Sequence, residues 1–105
     1  MPIIRIVDYV PFPGGRYETD GPYSGEFFRE NHLLPALRNA ISHGTILEVE
    51  LDGVPNYGVS FLEECFGGLI QVNQLTSDQL KRHLHIVACG LRYEVFCRII
   101  NKIIT

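Results

Sequence analysis

The segment from Thr45 to Leu51 alternates without a break: Thr45, Leu47, Val49 and Leu51 point one way, and Ile46, Glu48 and Glu50 point the other. A period of two is the signature of a β-strand. Two glutamates on one face place that face in water, while the apolar face needs a cover. The chain is therefore expected to build a sheet with helices mainly on one face, because a sheet held between two helical layers would be apolar on both sides. A loop, Asp52 to Gly58, then leads to a second constraint, Val59 to Ile70. Ser60 has N-cap chemistry, and Glu63 stands three residues on, which predicts a capping box. Glu63 and Glu64 fall in the first turn, where the helix dipole favours negative charge. At about 100° per residue, Phe61, Leu62, Cys65, Phe66 and Leu69 share one arc, and Ser60, Glu63, Glu64, Gly67 and Gly68 share the opposite one. Two helical glycines cost roughly 2 kcal/mol against alanines. Either another backbone approaches closely at Gly67-Gly68 or the helix ends or kinks there.

The remaining segments supply the partners of this strand and helix. Ile3 to Val10 is β-branched and reads as a strand. Pro11 to Gly15 is a turn, and Arg16 to Thr19 fits a short second strand. Ser24 opens a helix running to about Ser42, with Phe27, Leu33, Leu34, Leu37, Ala40 and Ile41 on one side, a kink expected at Pro35, and Gly44 just past its end. Thr76-Ser77-Asp78-Gln79 caps a short helix reaching about Arg82. His83 to Cys89 reads as a strand, and Leu91 to Ile104 as a last helix with a wide apolar arc. The fold class implied is α/β, with a mixed, partly parallel sheet of about four strands. A chain of 105 residues makes one domain, 1–105.

Composition removes several functions. A net charge of −3 leaves no basic stripe for nucleic acid. No apolar run approaches the roughly 20 residues of a membrane span. Arg5 and Asp8 interrupt the first apolar stretch, so it is not read as a signal peptide. The three cysteines, Cys65, Cys89 and Cys97, fit no zinc spacing, fall at apolar positions and read as reduced core thiols of a cytoplasmic protein. No cofactor motif is present. No histidine is near Ser60 in sequence to activate it, and Cys65 lies on the buried arc, so no catalytic site is expected. His83, His85 and Cys89 would share a strand side and offer a metal trio, but the pattern reads as a half-exposed strand face, and no metal site is assigned. Pro13-Gly14-Gly15-Arg16, with Asp52-Gly53-Val54, offers a second ligand candidate in which Arg16 supplies charge to an anion.

The residues Arg16, Ser24 to Arg29, Leu51 to Val54 and Gly58 to Leu69 resemble a small bacterial STAS-like family of unknown function. The resemblance implies a STAS-like α/β module that is not an enzyme and binds a partner protein, as the anti-sigma-factor antagonists do. In those antagonists a serine at the start of the helix after a central strand is phosphorylated by a partner kinase; Ser60 holds that position here. Ser60 is followed by bulky Phe61 and Leu62 and then by two carboxylates, so a permanent acidic cap is the alternative to a phosphorylated serine. The expected contact surface is the loop 52–58 and the first half of the next helix: Asp52, Tyr57, Ser60, Glu63, Glu64 and Gly67. The expected partner is a kinase-like ATPase or an operon-encoded regulator. A homodimer through Ile99, Ile100, Ile103 and Ile104 is a further expectation. The alternative function is a sensor of a nucleotide or other anion at Arg16.

Overall fold

The computed structural model describes residues 2–105. Its framework is a sheet of three parallel strands in the order β1-β2-β3, where β1 is Ile3–Arg5, β2 is Leu47–Glu50 and β3 is Leu84–Val87. The expected four-stranded mixed sheet is thus corrected to three strands, all parallel, among the described residues. The strand expected at Arg16–Thr19 does not form. Glu18–Asp20 is instead a 3₁₀ turn in which the Asp20 carboxylate accepts the Tyr17 N–H at 3.0 Å. In a sequential parallel order, crossovers of the usual right hand carry every connection to the same face. Burial agrees: Ile4, Leu47, Val49, Leu84 and Ile86 are buried, whereas Ile3, Arg5 and His85 on the opposite face are exposed. There Arg5 pairs with its register partner Glu50 at 3.0 Å.

After β1 the chain makes a short turn of helix, α1 (Ile6–Tyr9). The first long helix, residues 25–43, is built from α2 (Gly25–Phe28), a π-turn (Arg29–Leu33) and α3 (Leu34–His43). Ser24 caps it by accepting the Phe27 N–H at 3.0 Å, and Gly44 closes it at φ 65°, a left-handed conformation that suits glycine. Pro35 has no N–H to donate to Asn31, four residues back, and the turn before it widens so that the Leu34 N–H reaches the Arg29 carbonyl.

The second long helix, residues 59–71, has the same construction: α4 (Val59–Leu62), a π-turn (Glu63–Gly67) and α5 (Gly68–Gln71). Then come α6 (Ser77–His83) and, beyond β3, a 3₁₀ turn (Leu91–Tyr93) that leads into α7 (Glu94–Ile103). The core lies between the sheet and these helices, with Phe28, Phe61 and Phe66 fully buried. Among the described residues no helix is long and apolar enough to cross a membrane.

Candidate functional site

The two long helices meet through glycines. A Cβ on Gly25 would stand 2.6 Å from the Phe61 carbonyl oxygen, and one on Gly68 would stand 1.9 Å from Arg29 Nη1. Neither reading of Gly67-Gly68 holds as expected: the helix runs on to Gln71, and what approaches is not a backbone but the side chains of Arg29 at Gly68 and Ile103 at Gly67. The space at Gly68 holds a guanidinium. Arg29 is 2% exposed, and its Nη1 donates to the Glu64 carbonyl at 2.5 Å and to Glu64 Oε2 at 2.6 Å. Its Nε donates to Glu30 Oε2 at 3.0 Å, an oxygen that also accepts from Asn73 Nδ2 at 3.0 Å. Burial by itself would make Arg29 less basic, but the bonds to Glu64 and Glu30 outweigh it and hold the charge. The Asn73 amide, then Arg29, draws the Glu30 carboxyl below its ordinary value.

Glu63, one residue earlier, faces outward and accepts from Arg16 Nη2 at 2.5 Å, which raises the basicity of Arg16. Arg16 is placed by a loop laced to the start of the first long helix. Gly25 N–H donates to the Gly15 carbonyl at 3.0 Å, and Glu26 N–H to the Arg16 carbonyl at 2.9 Å. The Arg16–Glu63 pair walls an open cleft of about 760 Å³ whose lining includes Glu64, Gly67, Ser77 and Ile103.

The loop 52–58 is held from below. The Asp52 carboxylate accepts from Cys89 N–H at 2.9 Å and Gly90 N–H at 2.7 Å, and these bonds lower its pKa. Tyr57 hydroxyl donates to the Leu51 carbonyl at 2.6 Å, Tyr93 hydroxyl to the Val54 carbonyl at 2.6 Å, and the Arg92 guanidinium to the Pro55 carbonyl. Burial raises the pKa of the Tyr57 phenol. Above this frame Pro55, Asn56, Gly58, Val59 and Ser60 are exposed.

A protein-family model described as a STAS-like domain of unknown function (DUF4325) matches residues 24–94. The chain belongs to that family. No curated protein and no solved structure matches it.

Within this STAS-like domain the serine at the head of the helix after β2 does not cap. The N-cap is Gly58, in extended conformation, and Ser60 is the second helical residue, exposed and without a side-chain hydrogen bond among the described residues. The expected capping box fails because Glu63 reaches Arg16 instead of turning back. The expected contact surface is corrected in three places. Tyr57 is 2% exposed, Gly67 is buried with room for little beside Ile103, and the Glu64 side chain is turned onto Arg29. Ser60 and Glu63 remain on the surface, and Asp52 contributes by shaping the loop.

Other expectations are redistributed. His83 ends α6 and contacts the Thr45 carbonyl through Nδ1 at 2.8 Å, so it shares no strand face with His85. Cys65 is buried and its thiol pKa is raised by that burial, which leaves it unreactive. Cys89 is exposed rather than in the core, since β3 stops at Val87. Ile100 and Ile104 are buried within the chain, so the apolar arc of α7 is largely consumed by its own fold. Arg29 went unread in the sequence, although it stands four residues from both Gly25 and Leu33, on the apolar stripe of the first long helix, where a cation must find a buried partner.

Proposed function

We propose that this STAS-like domain is a non-enzymatic regulatory module that binds a protein partner through the exposed rim of loop 52–58 and the first turn of the helix that follows. The observation that carries this reading is a division of labour. The loop's inward groups are tied down by Asp52, Tyr57, Tyr93 and Arg92, while Asn56, Val59 and Ser60 face solvent. A preorganised surface loses little entropy when it is bound. Val59 is 51% exposed and Leu91, next to the Arg92 that grips the loop, is 83% exposed. These side chains supply an apolar centre and Glu63 an acidic edge, a surface suited to a partner with a basic rim, such as a kinase-like ATPase or a regulator encoded nearby. Ser60 is the residue a partner kinase would modify. A phosphate there, at about −1.5 to −2 charge, would stand one turn from Glu63 and compete with it for Arg16.

The test is capture of a partner by the wild-type domain and by three exposed-site variants. Asn56→Arg and Ser60→Trp abolish capture, and Arg82→Glu, on α6, leaves it unchanged. Equal capture by all variants, with their fold intact by circular dichroism, would sink the proposal. Ser60→Asp releases the partner if modification is the switch.

A second reading, an anion sensor at Arg16, draws on the cleft of about 760 Å³ beside that residue. A nucleotide would have to displace Glu63 from Arg16 and tolerate Glu64 nearby. A rise in melting temperature with nucleotide that disappears in Arg16→Ala would favour the sensor over partner binding.

A further inference from the structure

The three-stranded sheet has two open edges, and only one is guarded. On the β1 edge stand Pro2 and Arg5, residue types that discourage a further strand. The β3 edge, Leu84–Val87, carries neither lysine nor proline. Leu51 N–H donates to the Val87 carbonyl at 3.0 Å, so the backbone groups of Val87 face β2. Alternation along the strand then turns those of Leu84, Ile86 and Ala88 outward. The Cys97 thiol of α7 approaches the Ile86 carbonyl at 3.8 Å, and a thiol is a weak donor. Between this edge and α7 runs a groove of about 540 Å³, with Glu94, Cys97 and Arg98 on its helical wall. Glu94 and Arg98 stand one helical turn apart, and neither enters an ion pair among the described residues.

We propose that the groove receives a second copy of this chain, β3 pairing antiparallel with β3 about a two-fold axis at Ile86. That register sets Ile86 opposite Ile86 and Leu84 opposite Ala88, so the outward N–H and C=O groups of each strand meet those of the other. The two three-stranded sheets become one. The same axis lays the two α7 helices side by side and antiparallel, and Glu94 of each copy then faces Arg98 of the other. One helix thus carries both halves of a self-complementary contact, as an isologous interface requires. On the solvent face His85 stands opposite Val87, and no like charges are opposed. This interface goes beyond the partner-binding surface described above; the two use different elements and stand or fall separately.

Sedimentation equilibrium from about 1 μM to 1 mM spans the range in which a modest interface of this kind dissociates. The wild-type chain dimerises across that range. Glu94→Arg or Arg98→Glu sets like charges across the axis twice and raises the dimer Kd about tenfold. The double exchange, Glu94→Arg with Arg98→Glu, restores dimerisation. Both positions are exposed, so the variants keep the fold. A chain that stays monomeric at the highest concentration overturns the proposal, as does a dimer indifferent to the single reversals or not rescued by the exchange.

Discussion

At the scale of single residues, the organising contact is a buried cation against a missing side chain. Arg29 occupies the volume that a Cβ on Gly68 would fill, and its three hydrogen bonds join both long helices and Asn73 through Glu30. Removing a partner from a buried pair typically costs about 3–5 kcal/mol, since it strands a charge. Gly68→Ala displaces the guanidinium and is expected to cost about 2–4 kcal/mol by urea denaturation. Gly67→Ala meets only the Ile103 methyl at 3.3 Å. It gains roughly 1 kcal/mol of helix propensity and should leave stability within about 1 kcal/mol of the parent. Adjacent glycines in one helix thus predict different outcomes. The sequence showed that Gly67-Gly68 needed a reason; it held Arg29 in plain view on an apolar stripe, but its partner Glu64 lies 35 positions away, beyond the reach of helical periodicity.

At the scale of elements, helix starts were legible where side chain and backbone agree, and misleading where a tertiary partner intervened. Thr76 and Gln79 form the expected capping box, with Thr76 Oγ1 accepting the Gln79 N–H at 3.1 Å and Gln79 Oε1 accepting the Thr76 N–H at 2.9 Å. Ser24 caps as expected and is wholly buried. Ser60 has the same local pattern, Ser-x-x-Glu, yet the helix begins one residue earlier, at Val59 with Gly58 as its N-cap, and Arg16 takes the carboxylate that would have closed the box. Calorimetry on three alanine variants separates these cases. Thr76→Ala and Ser24→Ala each cost about 1–2 kcal/mol, whereas Ser60→Ala stays within about 0.5 kcal/mol. A large loss for Ser60→Ala would mean that its hydroxyl caps after all. The kink expected at Pro35 appears one turn earlier as a π-turn, where the widened helix accommodates the missing donor.

For the whole molecule, acid acts on three groups in the same direction. Burial lowers the basicity of His32, which is stacked on Tyr9 at 4.1 Å, so the unfolded chain takes up its proton first. The carboxyls of Glu30 and Asp52 are lowered by the hydrogen bonds they accept, so each also binds a proton more readily once unfolded. In all three cases stability is complete above the ordinary pKa, at 6.5, 4.5 and 3.8, and is lost as pH falls through the lowered folded value. Chemical denaturation between pH 8 and pH 3 should therefore show a decline beginning near 6.5 and steepening below 4.5. His32→Phe removes the first part. Asp52→Asn, less stable at neutral pH, flattens the last. An unchanged profile in either variant would mean that its group is not responsible.

The sequence by itself determined the α/β class, the one-sided cladding of the sheet and most helix bounds, because these follow from periodicity and capping within about ten neighbouring residues. Only the tertiary structure decided that the strands number three and run parallel. It also turned Glu64 and Tyr57 inward while leaving Ser60 free. Those outcomes depend on which distant groups meet, Arg29 with Glu64 and Arg16 with Glu63, and such meetings are settled by how packed helices divide space rather than by local pattern.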